Sequence, residues 1–122
     1  MDKFEAALRI LYLLASIDGE VNGAEVKIIM AYLKENQVEI SFDHRSVIQN
    51  LLFMGKEKAK IELGTAAMYY KESSIPEERI NLLDFAANLL AADGKFDLEE
   101  IRAFNILGEK WDIDIDEFMK NR

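Results

Sequence analysis

Two carboxylates recur in one setting, twice. Asp18 and Glu25 bracket "DGEVNGAE" (18–25), Asp93 and Glu100 bracket "DGKFDLEE" (93–100), and equivalent residues lie 75 positions apart. Hard oxygen ligands of this kind suit Ca²⁺, Mg²⁺ or Mn²⁺. Asp-Gly followed six residues later by Glu is also the second half of an EF-hand loop, which further needs oxygen ligands at its first and third positions. Those positions fall on Leu14 and Ser16 in one copy and on Leu89 and Ala91 in the other. Leucine cannot ligate calcium, so an EF-hand fails at the same place in both copies.

Two accounts of these stretches remain. In the first they are helix junctions: Gly19 or Gly94 ends one helix, Asn22 or Asp97 caps the next, and Glu25 or Glu100 reaches back to the cap amide. Val21 and Phe96, just before the caps, can staple the chain to the new helix. Capping is the main role expected for Asn22, Glu25, Asp97 and Glu100. It explains Asp18 and Asp93 poorly, because a carboxylate at a helix C-terminus opposes the macrodipole by about 0.3–1 kcal/mol. An Asx-turn is the local remedy. In the second account the two junctions come together, and Asp18, Glu25, Asp93 and Glu100 share a divalent cation.

Other chemistry is sparse. The chain has no cysteine, which removes disulfides, thiolate metal sites and cysteine nucleophiles. His44 is the only histidine; Asp43 and Ser46 stand beside it, but a catalytic triad is defined in space rather than by adjacency. A di-iron carboxylate bundle needs two Glu-x-x-His elements, and the residue three before His44 is Ser41. Asp112, Asp114 and Asp116 alternate in "WDIDIDEF", where Asp114 is better placed as a helix cap. Paired carboxylates acting as acid and base would have no nucleophile or cofactor motif to work with. No catalytic residue and no cofactor beyond a divalent cation is expected.

The elements that must position these residues are helices. Phe4, Ala7, Leu8, Leu11, Leu14 and Ala15 recur at three- and four-residue steps. Val26, Ile29, Met30 and Leu33 follow the same period, as do Val47, Ile48, Leu51 and Leu52. So do Ile80, Leu83, Ala87 and Leu90, then Ile101, Phe104 and Leu107. No stretch alternates over strand length. Capping-box spacing appears at Asp2–Glu5, Asn22–Glu25, Ser74–Glu77, Asp97–Glu100 and Asp114–Glu117, with Asp43 a further cap. Gly19, Gly55 and Gly94 follow periodic runs as stop signals, and Pro76 suits a first turn. The pattern predicts an all-α bundle of seven helices, near 3–17, 23–36, 44–54, 56–72, 75–92, 98–110 and 115–121. Helices one–two and five–six would form two similar αα-hairpins. Gly64, inside the fourth helix, predicts a close helix crossing, since glycine there costs about 1 kcal/mol relative to alanine. Tyr69, Tyr70, Phe85, Phe104 and Trp111 are expected in the core. "GKEKAK" (55–60) is expected to be a solvated first turn, or a dock for an acidic partner.

With 122 residues and one proline, the chain is expected to be a single domain, 1–122. A net charge of −8 repels phosphate backbones and anionic lipid, which excludes nucleic acid as a partner and favours cations and basic protein surfaces. No run reaches the ~18 apolar residues of a membrane span. Asp2, Glu5 and Arg9 interrupt any signal-peptide pattern. A soluble, cytoplasmic protein with another protein as partner is expected, homo-oligomerisation being open to it.

Paired "DG-x-apolar-polar-x-x-E" junctions in an acidic, all-helical chain resemble the tellurite-resistance TerB-like family. The resemblance runs from "LLASIDGEVNGAEVKIIMAYL" to "LLAADGKFDLEEIRAFNILGEKW". The second copy is the closer, with its Ala-Asp-Gly start; the first departs at Ile17 and Gly23. The resemblance implies a compact bundle of about seven helices without known catalytic activity, binding or regulatory in bacterial stress-response and tellurite-resistance settings. It also implies acidic clusters that bind metal ions or partner proteins; the matching acids are Asp18, Glu25, Asp93 and Glu100. The alternative is an interaction or self-association scaffold with no metal site.

Overall fold

The structure, a computed structural model, describes residues 1–17, 21–36, 42–52, 54–92 and 97–122. Among them it forms seven helices and no strand: α1 (Lys3–Ser16), α2 (Gly23–Glu35), α3 (His44–Leu51), α4 (Lys56–Ser73), α5 (Pro76–Ala91), α6 (Leu98–Trp111) and α7 (Ile115–Lys120). The predicted all-α bundle is what is found, with helix ends within one residue of expectation except at α3, which stops three residues early.

α1 lies at the centre. It packs most extensively on α4 and also on α2, α3, α5 and α6. Its periodicity suggests one apolar face, yet Ala6, Ile10 and Leu13 are buried along with the expected Leu8, Leu11 and Leu14. Only a narrow polar strip, including Glu5 and Arg9, reaches the surface. Arg9 uses that strip to tie two helices together, bonding Glu5 at 3.1 Å and Glu62 of α4 at 3.0 Å. Further out, α6 is held to α4 by the Trp111 indole, which donates to the Ala67 carbonyl at 2.8 Å.

Some positions 75 apart are buried alike, whereas buried Ala6 and Leu13 correspond to exposed Asn81 and Asn88. Leu8 and Leu83, Leu14 and Leu89, and Ile29 and Phe104 are all buried. Leu14 and Leu89 are fully enclosed, in keeping with their failure as calcium ligands. Lys3 and Glu78, also 75 apart, form an ion pair, so α1 and α5 begin side by side. Tyr32 of α2 stacks edge-on against Phe85 of α5, with ring centroids 5.3 Å apart. The Tyr70 hydroxyl donates to the Glu78 carbonyl at 3.3 Å. Burial raises the pKa of both phenols, that of Tyr70 to about 12.

Several expectations are corrected. α5 is not capped by a Ser74–Glu77 box. Ser74 donates to the Tyr70 carbonyl at the end of α4, and Glu78 reaches back to the Ile75 amide instead, because Pro76 sets the first turn one residue later. Gly55 does not end α3; it precedes α4 as its N-cap with φ −67°. Gly64 does not mark a close crossing, since a Cβ there would meet only Lys110 Cε at 3.5 Å. The tight glycine is Gly108, where a Cβ would lie 2.4 Å from Ile115 Cγ1 and 2.9 Å from the Ile113 carbonyl oxygen. Asp112 makes this approach possible by taking the left-handed conformation (φ 55°), turning the chain back onto α6. Val26, Met30, Leu52, Ile80 and Ile101 are exposed rather than in the core, as is Tyr69. The inward face of α2 is instead Glu25, Ile29, Tyr32 and Leu33.

Candidate functional site

The two junctions are built alike where they are described. Asn22 precedes α2 in extended conformation; its Oδ1 accepts from the Glu25 amide at 2.9 Å, and Glu25 Oε1 accepts from the Asn22 amide at 3.0 Å. Asp97 precedes α6 in the same way, accepting from the Glu100 amide at 2.8 Å, while Glu100 Oε1 accepts from the Asp97 amide at 3.4 Å. Both are full capping boxes, each satisfying two of the backbone donors that open a helix. Two further expected boxes are half-formed: Asp2 and Asp114 accept from the amides of Glu5 and Glu117.

What sets the two junction glutamates apart is burial. Glu25 is 4% exposed and Glu100 1%, and they are the buried charged residues of the described chain. Capping glutamates ordinarily lie at the surface, where the reach-back bond needs no enclosure. A carboxylate withdrawn from water is costly unless hydrogen bonds or opposite charge compensate it. In each case the cap amide supplies one such bond.

The predicted cation set is only partly visible. Asp18 and Asp93 lie outside the described residues, as do Gly19 and Gly94, expected to end the first and fifth helices. Glu25 and Glu100 stand at equivalent places on α2 and α6, two helices that make no extensive contact with each other. Among the described residues no three acidic or histidine side chains are grouped to hold a metal ion.

The remaining candidates resolve into local structure. Asp43 caps α3, accepting from the Arg45 amide and the Ser46 hydroxyl, both at 3.1 Å. The Ser46 bond, with the Arg45 amide, holds the Asp43 carboxyl below its usual range. Ser46 is thus committed to Asp43, and the His44–Asp43–Ser46 neighbourhood has no triad arrangement. Asp112 pairs with Lys71 at 3.0 Å, and Asp114 caps α7. In the "GKEKAK" turn Lys56 and Lys58 are exposed, while Lys60 pairs with Glu99 of α6 at 3.5 Å. No described helix is long and apolar enough to cross a membrane.

Among curated proteins and among solved structures nothing matches the chain. A family model described as tellurite resistance protein TerB matches residues 4–122, which is nearly every residue of the bundle. The helical architecture of the described residues agrees with that match: the chain belongs to the TerB family.

Proposed function

We propose that this TerB domain is a non-catalytic binding and regulatory module of a bacterial stress-response or tellurite-resistance system, and that its paired junctions bind a divalent cation weakly through Asp18, Glu25, Asp93 and Glu100. The observation behind the cation reading is the burial of Glu25 and Glu100 at equivalent positions. Capping alone needs a carboxylate or amide at that place, but does not need it enclosed. Hard oxygen donors favour Ca²⁺, Mg²⁺ or Mn²⁺ over softer ions.

An NMR titration of the whole chain with each of the three ions tests this. Shifts, or Mn²⁺ broadening, confined to residues 17–26 and 92–101 are the expected result. Unchanged spectra at millimolar ion would remove the cation and leave the second reading, an interaction or self-association scaffold. That second reading draws on Val26 and Ile101, which directly follow the two glutamates, lie 75 positions apart and are 45% and 41% exposed. A concentration-dependent sedimentation profile would favour it.

A further inference from the structure

A cleft opens between the first half of α5 and helix α7. It is about 460 Å³ in volume, and its walls include Glu77, Ile80 and Asp84 on one side with Phe118 and Arg122 on the other. A second hollow continues it past Ile80 and Phe118 to Ile113, Asp114 and Glu117. The floor is apolar: Ile80 is 45% exposed, and Ile113 and Phe118 are half-buried against the core. The rim is acidic. Glu77, Asp84, Asp114 and Glu117 line the two hollows, and the only basic lining residue described is Arg122.

Arg122 shows what this rim takes. Its Nε lies 2.9 Å from Asp84 Oδ1, and its guanidinium also donates to the Asn88 side chain. The chain's own arginine therefore occupies one end of the cleft, while Glu77 and Glu117 make no ion pair with a described residue. Guanidinium groups match carboxylates geometrically and tolerate an apolar neighbour better than ammonium does.

We propose that the α5–α7 cleft docks a short basic segment of a partner protein, an apolar side chain entering over Ile80 and Phe118 and flanking arginines meeting Glu77 and Glu117. Residues 77 to 84 extend about 10 Å along α5, enough for two helical turns or a few extended residues. The contact is of the small, transient class, with charge directing the approach. It does not rest on cation binding at the junctions, since no described residue of 18–25 or 93–100 lines the cleft.

The test is an NMR titration of the full chain with three blocked hexapeptides. One alternates arginine with leucine, one alternates glutamate with leucine, and one alternates arginine with glycine. The arginine–leucine peptide is expected to shift Ile80, Asp84, Phe118 and Asn121 at sub-millimolar concentration, with affinity falling severalfold as salt rises through the screening range. Glu117→Lys should weaken it about tenfold. Ile80→Ser should weaken it by a similar factor while leaving the spectrum of the core unchanged, since Ile80 is a surface residue. Three outcomes overturn the proposal: no shift in the cleft at millimolar peptide, equal binding of the arginine–glycine peptide, or shifts spread over the acidic surface at large. Concentration-dependent shifts at these residues without peptide would assign the cleft to a second copy instead, and also overturn it.

Discussion

Two glycines inside helices should answer oppositely to the same substitution. Gly64→Ala in α4 gains the helix preference of alanine, about 0.5–1 kcal/mol. The new methyl meets only the flexible Lys110 side chain at ordinary contact distance, so nothing offsets that gain. Gly108→Ala in α6 has the same preference to gain, but its Cβ would lie 2.4 Å from Ile115 Cγ1 and 2.8 Å from Ile115 Cδ1. Rotating Ile115 relieves those clashes; it does not relieve the Ile113 carbonyl, a backbone atom, at 2.9 Å. The turn through Asp112 must then open and α7 lift, loosening Ile115 and Phe118 from the core. Overpacking of this kind costs about 1–3 kcal/mol, so Gly108→Ala should be destabilising by about 1–2 kcal/mol net. In a domain of this size each kcal/mol moves the melting midpoint by roughly 4 °C. Urea denaturation followed by far-UV circular dichroism reads both variants, and hydrogen exchange in α7 should quicken in Gly108→Ala alone. Equal stabilisation by the two substitutions would refute the reasoning, because it would mean that α7 yields without loss.

The junction glutamates should respond to shape and charge differently. Glu100→Ala removes the reach-back bond and leaves a small void, which should cost about 1–2 kcal/mol, whereas Glu100→Gln keeps an acceptor and should cost less than half as much; thermal melts of Glu25 variants should repeat the order, and a Gln as damaging as Ala would show that the charge itself matters. Stability should also fall in alkali. Tyr32 and Tyr70 are raised above the ordinary phenol value of 10 by burial, so their contribution is complete below pH 10 and declines as pH rises through the folded values. Each adds up to about 1.4 kcal/mol per pH unit. Tyrosinate absorbance should therefore rise together with loss of helix above pH 10, and Tyr32→Phe should flatten the dependence; ionisation of these phenols with helix intact would contradict it.

Much of the bundle was legible because its signals are local. A cap or a reach-back glutamate acts within four residues, so Asn22–Glu25, Asp97–Glu100 and Asp114 could be placed from spacing alone. Where two local signals competed, sequence chose wrongly: Ser74–Glu77 has box spacing, but the fixed φ of Pro76 moved the start by one residue and gave the role to Glu78. Periodicity located the faces but not their width. α1 is enclosed on nearly every side because five helices surround it, and α2 turns Val26 and Met30 outward because Glu25 and Tyr32 point in.

Composition and spacing by themselves determined an acidic, cysteine-free, all-helical chain with two matched junctions, since each of those properties depends on residue type or on neighbours along the chain. Only the tertiary structure decided which glycine is crowded, that Glu25 and Glu100 are buried, and that Arg122 closes back onto Asp84. These depend on groups brought together from distant parts of the chain. Their approach is set by how whole helices pack, which no local pattern encodes.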